Sequence, residues 1–369
     1  MASEPTLDRR TALKLPVVLA AGMTLTRVPR ASAEMARWSP DRAHRWYRAQ
    51  GWLVGANFIP ANAINQLEMF QSGTFDPRRI DSELRTAKLI GFNTVRVFLH
   101  DLLWVQDRAG FQRRLARFVD IAAHHGIKPL FVLFDSCWDP HPRLGRQHDP
   151  IPGVHNSGWV QSPGADHLDD PRHHRVMRDY VTGVLSQFRH DRRVLGWDLW
   201  NEPDNPADAY AAVERSDKVQ RVAELLPQVF AWARSVDPIQ PLTSGVWDGE
   251  WGDPARRNEI NRLQLDLSDV ITFHSYAEPE GFEARLAELT PLGLAHAVYR
   301  VHGPHAGQHG RIDPADHQTA QHRRVHLGLR RGQNPDVPAV GILGPAGDRP
   351  ARAVVPRPAA RRRHPVPRR

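Results

Sequence analysis

The 369-residue chain is long enough to bury one large core or two ordinary ones, and 41% of its residues are apolar. Its single cysteine, Cys137, excludes an internal disulfide and any multi-thiolate metal centre. The formal net charge of +8 does not describe a basic surface spread over the whole chain: residues 294 to 369 hold fourteen Arg and four Asp with no Lys or Glu, so the entire excess lies in that tail.

In chain order, the first 33 residues carry "DRRTALK" (Asp8 to Lys14), similar to the bacterial twin-arginine signal. An apolar "LPVVLAAGMTL" and the small-residue site "ASA" (Ala31 to Ala33) follow. Residues 1–33 are therefore expected to be a signal peptide outside the fold, and the protein to be exported to the periplasm or beyond. The apolar run is short and interrupted by proline, so no membrane partner is expected once the signal is removed.

From Trp52 to His274 short apolar runs alternate with amphipathic segments, the pattern of βα units around a parallel barrel. The predicted strands are 52–58, 93–99, 128–134, 194–200, 241–247 and 269–276. Helices are predicted at 79–91, 110–126, 173–188, 219–236 and 281–290, where apolar residues recur at three- and four-residue spacing. Residues 136–170 are too long for a routine connection, which favours a functional loop.

After Thr290 both periodicities stop. The expected fold is α/β, a (β/α)8 TIM barrel over residues 36–293, incomplete, with strands seven and eight lost or garbled. Residues 294–369, rich in Arg, Pro and His, are expected to be disordered or out of frame.

Glu202, in "WNEPDN", stands at the C-terminal end of the fourth strand, where barrel enzymes carry their reacting groups. Trp197 and Trp200 beside it suggest a partly desolvated carboxyl with a raised pKa, the property of an acid that protonates a leaving oxygen. Arg96 is set within an apolar strand and requires a carboxylate partner. His274 and Tyr276 lie two apart and so point the same way. Trp138, Trp159, Trp247 and Trp251, with Asn57 at the first strand's end, are candidate substrate-binding residues, since aromatic rings in loops and at strand ends offer large apolar faces to a ligand. His173 and His174 are expected to face solvent near a helix start, so no metal site and no cofactor are expected.

"NTVRVF" on the second strand, "NEP" on the fourth and "FHSY" on the sixth resemble, in order and spacing, the clan A glycoside hydrolases that include the cellulase and mannanase family 5. The resemblance covers about residues 36 to 290. It implies a retaining hydrolysis of O-glycosidic bonds in a β-glycan, with an oligo- or polysaccharide as partner. Glu202 would be the acid/base and Asn201 would bind the sugar 2-hydroxyl. Arg96 would support the nucleophile, and His274 and Tyr276 would line the reacting subsite. Asp135, in "FDSCW", stands where many members carry other polar residues.

That mechanism requires a second carboxylate, the nucleophile, at the end of strand seven, about 5 Å from the first in retaining enzymes. No Glu follows Glu288 in this chain. Val298 to Gly303, "VYRVHG", can be encoded by codons that read one nucleotide later as Cys-Thr-Glu-Tyr-Met. The nucleophile codon would then straddle Arg300 and Val301. Likewise His326 to Gly341 can be recoded as Thr-Trp-Gly-Phe-Val-Ala-Gly-Lys-Thr-Gln-Thr-Phe-Leu-Pro-Trp, a credible eighth strand. A frameshift near residues 290–296 is the expectation, with activity impaired. A non-catalytic carbohydrate-binding protein on the same scaffold is the alternative, while the Arg-rich tail alone, without a recognition fold, gives no expectation of nucleic-acid binding.

Overall fold

A computed structural model describes residues 37–152, 156–275, 277, 279–299 and 339–341. The expected signal peptide, Tyr276, Arg300, Val301 and nearly all of the tail lie outside the described residues.

Helix starts are written locally. Helix α1 (Pro40–Gln50) opens on Ser39-Pro40, with the Ser39 hydroxyl accepting from the Arg42 N–H. After β1 (Val54–Ala56) and the short α2 (Gln66–Phe70), helix α3 (Pro77–Leu89) starts on Asp76-Pro77, and Asp76 accepts from the N–H groups of Arg78 and Arg79. Proline needs no N–H at the first helical position, and the carboxylate satisfies two donors that the helix leaves open.

Strand β2 (Thr94–Phe98) leads into α4 (Asp101–His124), which breaks at Asp107 (φ −158°, ψ 74°). Asp107 accepts from Gly110 N at 2.9 Å and so caps the second half of that helix. The helix predicted at 110–126 is this second half. β3 (Lys128–Val132) then enters the long loop, and α5 (Pro171–Phe188) begins on a third capped start, Asp170-Pro171. β4 (Gly196–Asp198), α6 (Lys218–Arg234), β5 (Leu242–Thr243), α7 (Glu259–Leu267), β6 (Ile271–His274) and α8 (Pro279–Leu289) follow.

Strands β2 to β5 pair in parallel, in chain order. Parallel bridges Asn57–Arg96 and Val246–Phe273 extend that order to β1 and β6. Gly55 allows the close approach of β1: a Cβ there would lie 2.0 Å from the Thr94 carbonyl oxygen. The order is that of a (β/α)8 barrel, with helices of one apolar stripe outside and Phe131, stacked on Trp197 at 5.6 Å, between the layers.

The seventh position, expected to be lost, is filled by β7 (His296–Tyr299), parallel to β6 in register Ile271 with His296 through His274 with Tyr299. The boundary drawn at residue 293 therefore falls in the α8–β7 connection, and four residues too short for the sequence periodicity to register complete that strand. β8 (Ala339–Gly341) runs antiparallel to β1. The eighth strand of a (β/α)8 barrel runs parallel, so this end of the array departs from the pattern.

Candidate functional site

Four polar side chains, Arg96 of β2, Asn201 and Glu202 just past the end of β4, and His274 of β6, meet at the C-terminal ends of the strands. Arg96 projects from the middle of β2, where all five residues are buried. Its guanidinium holds Asp198 Oδ2 at 2.5 Å (Nη2) and 3.2 Å (Nε), and Nη2 also donates to Asn201 Oδ1 at 2.8 Å. The carboxylate that a buried arginine requires is thus Asp198, two strands away and four residues before Glu202.

Asn201 relays this order onward. With Oδ1 fixed by Arg96, its Nδ2 donates to Asp135 Oδ1 at 2.8 Å. Asp135 also accepts from the Cys137 N–H at 3.0 Å, while its Oδ2 is buried with no hydrogen-bond partner among the described residues. Burial is the dominant influence on this carboxyl, and with the nearby charge of Glu202 it overcomes the hydrogen bonds from Asn201 and Cys137, raising the pKa to about 7.

Glu202 is itself buried, with a backbone φ of 42°. Non-glycine residues avoid that region, and a following proline, here Pro203, disfavours it further; such strain collects at functional sites. Its Oε1 lies 2.7 Å from His274 Nδ1, and its Oε2 accepts from Asn205 Nδ2 at 2.7 Å and from the Cys137 thiol at 3.2 Å. Burial alone would raise its pKa, but the His274 hydrogen bond and charge, with those from Asn205 and Cys137, reverse the sign and lower it. The expectation of a raised pKa is thereby corrected: indole burial at Trp197 and Trp200 is real, but three donors outweigh it. Burial and the two carboxylates push the Cys137 thiol well up, which keeps it a protonated donor.

The aromatic candidates divide. Trp247 is half-buried and donates its indole N–H to Asp204 Oδ1 at 2.6 Å, a carboxyl whose pKa burial raises. Trp138, also half-buried, has φ 80° and packs with Phe98, Val132 and Trp159. Trp159 is 6% exposed and sets its ring edge-on to Phe98 at 5.2 Å, so it builds the loop's footing. Trp251 is a correction: fully enclosed, it lies edge-on to Phe273 at 5.7 Å beneath the Arg285 guanidinium and has no face to offer a sugar. Asn57 lies beside Arg96 in the β1–β2 bridge, half-buried, with Oδ1 unpartnered among the described residues.

The long loop is held rigidly. Asn65 Nδ2 donates to Gln147 Oε1 and to the Gly158 carbonyl, each at 2.8 Å, and Gln66 Nε2 to the Val160 carbonyl at 2.7 Å. Ser162 pairs with Asp135 through both backbone N–H groups. Buried Lys218 donates to Glu214 Oε2 at 2.6 Å and to the Ser136 carbonyl at 3.0 Å.

His173 is a second correction: it is buried, with Nε2 2.6 Å from Asp101 Oδ2, because it lies on the inward stripe of α5 with Met177 and Tyr180. His174 is the more outward of the two and meets the Leu168 carbonyl at 2.9 Å. Sequence reasoning also missed Cys137, Asp198 and Asn205. A signal existed for Asp198, one of two acids within the predicted strands that could neutralise Arg96.

No family model matches the chain, and no curated protein matches it. Several solved structures align with it. A variant of GH5_18 from Streptomyces cattleya in complex with Manβ1-4GlcNAc shares 16% identity over 60% of this chain and 51% of that one, TM-score 0.43. The endo-1,4-β-mannanase from Eisenia fetida shares 18% over 62% and 70%, TM-score 0.45. The endo-β-1,4-mannanase from Thermotoga petrophila shares 16% over 67% and 61%, TM-score 0.42. The chain spans about half the length of the first of these.

Proposed function

We propose that this chain is a family 5-like clan A glycoside hydrolase scaffold for a β-glycan, built for a retaining mechanism with Glu202 as acid/base, whose nucleophile has been lost to a frameshift. The observation that carries the reading is the convergence of Arg96, Asn201, Glu202 and His274 at the strand ends. Asn201 and Glu202 are adjacent in sequence, yet one is locked to Arg96 and the other to His274, so two fixed polar groups are presented side by side. Protonation of a glycosidic oxygen needs a carboxyl held in this way.

The test begins with the gene between the codons of Leu289 and His302. The reading expects an insertion or deletion there. A chain expressed from the gene restored to the second frame is then assayed on β-mannan, cellulose and xylan, with Glu202→Gln as control. Turnover in the restored chain, reduced about 10²- to 10⁴-fold by Glu202→Gln, is the expected result. A restored chain inert on all three glycans, or one indifferent to Glu202→Gln, overturns the assignment.

A second reading, a non-catalytic glycan-binding protein, is favoured by one observation: Glu202 is held toward its ionised state, whereas a leaving-group acid must carry a proton. It expects the chain as it stands to bind oligosaccharide without turnover. Export by residues 1–33 belongs to the same proposal. It expects a reporter fused to that segment to leave the cytoplasm only while Arg9 and Arg10 are intact.

A further inference from the structure

Away from Glu202, three metal-ligating side chains meet where the long loop rejoins the barrel. Asp101 opens α4 directly after β2, His173 lies in the first turn of α5, and His167 lies in the loop just before it. One oxygen of Asp101 and one ring nitrogen of each histidine lie within 4.8 Å of one another. The two imidazoles stack with centroids 3.5 Å apart and planes 12° apart, and His173 Nε2 shares a proton with Asp101 Oδ2 at 2.6 Å.

Three features distinguish this cluster from an ordinary buried ion pair. Asp101 is fully buried, and the partners its side chain has among the described residues are Ser162 Oγ at 2.9 Å, His100 Nδ1 at 3.0 Å and His173, with no Lys or Arg among them. His167 Nδ1 is buried with no hydrogen-bond partner among the described residues. The set His, His, carboxylate is of borderline softness, which suits Zn²⁺ and disfavours Ca²⁺ or Mg²⁺, which take oxygen donors.

We propose that Asp101, His167 and His173 form a binding site for one Zn²⁺-class divalent cation that clamps the long loop to α4 and α5. Zinc bonds of about 2.1 Å set tetrahedral ligand atoms roughly 3.4 Å apart; the three donor atoms already lie within 4.8 Å, and turning one imidazole out of the stack lets both ring nitrogens face one ion. Metal binding at His173 Nε2 displaces the proton there, to solvent from an imidazolium or to Nδ1 from a neutral ring, and a water completes the fourth position. Ser162 connects the clamp to the other site: its hydroxyl holds Asp101 Oδ1, and its backbone pairs with Asp135.

The test is titration of the EDTA-treated full chain with Co²⁺, a spectroscopic substitute for zinc, followed by displacement with Zn²⁺. The expected result is one ion per chain with the intense visible d–d absorption of a four-coordinate site. Its affinity should fall by more than the ~10- to 100-fold that loss of an outer-shell partner costs, in both His167→Ala and His173→Gln. His167→Ala preserves the Asp101–His173 hydrogen bond, so a circular dichroism spectrum like the parent's separates lost binding from lost folding. Exposed His190→Ala should change nothing. EDTA should lower the melting temperature of the parent and leave both ligand variants unmoved. Absence of the band in the parent, or an undiminished band in both variants, as the histidines of the tail would produce, overturns the proposal.

Discussion

Replacing Asp135 by Asn tests the electrostatics of the site directly. Asp135 is buried at the end of β3 with its pKa raised from the ordinary 3.8 to about 7, burial being the largest cause. Between those two values the folded chain keeps a proton that the unfolded chain has released. The unfolded state then binds fewer protons, so stability falls as pH rises, by about 1.4 kcal/mol per pH unit. Over roughly three units the wild-type chain forfeits up to about 4 kcal/mol, and the loss is complete above pH 7. Asparagine mimics the protonated acid: its carbonyl still accepts from Asn201 Nδ2 and the Cys137 N–H, and it never ionises. Urea unfolding followed by tryptophan fluorescence at pH 4 and pH 8 gives the comparison. The Asp135→Asn variant should gain on the wild type by about 4 kcal/mol between those pH values, whatever the offset at pH 4. Parallel stability–pH profiles for the two chains would show that Asp135 ionises normally in the fold, and the account of its burial would fail.

Glu202→Gln should show the opposite dependence. The folded pKa of Glu202 is depressed, so its stabilisation is present above the ordinary 4.5 and lost as pH falls through the folded value. Gln should cost about 1–3 kcal/mol at pH 7, with the gap closing below pH 4.5, as read by the same unfolding assay. Arg96→Met strands Asp198 without its cation and should cost about 3–5 kcal/mol, and a fall in melting temperature at neutral pH checks it. Trp251→Ala should cost about 3–5 kcal/mol of stability, with oligosaccharide affinity unchanged where the fold survives. Trp138→Ala should do the reverse, weakening oligosaccharide binding by calorimetry at smaller cost to stability.

Much of the scaffold was legible because each βα unit announces itself. Val95, Val97, Phe131 and Leu133 sit in continuous apolar runs that suit strands covered on both faces, and the Asp-Pro starts of α3 and α5 carry their own caps; α1 has an equally plain Ser-Pro start, yet no helix was expected there. Helix α7 escaped because the nine residues Glu259–Leu267 are short and half polar, with Asn261 and Gln264 on the buried side. Contacts were less legible than elements. Cys137 and Glu202 are separated by 65 residues, and nothing local to "CWDP" says that its thiol will reach a carboxylate. Trp247 and Trp251 are the same residue type four positions apart. Only the packing of Phe273 and Arg285 decides that one is enclosed while the other reaches Asp204. His173 was readable in retrospect, since His173, Met177, Tyr180 and Val184 follow the inward spacing of α5.

The charges of the site explain one another. Arg96 neutralises Asp198, and Asp135, left without a cation, is driven toward its neutral form. Glu202 is then the carboxylate that leans on His274; burial, the largest single influence, opposes the fall in its pKa, but His274, Asn205 and Cys137 together outweigh that opposition. In a retaining glycosidase a second carboxylate about 5 Å away adds to that opposition, because two like charges at such a distance resist simultaneous ionisation. The depressed pKa of Glu202 and the absence of a Glu after Glu288 are, on the proposed mechanism, one defect seen twice. On that mechanism Glu202 stands where the acid must stand at the strand end, while the donors around it, His274 first among them, hold it toward its ionised form.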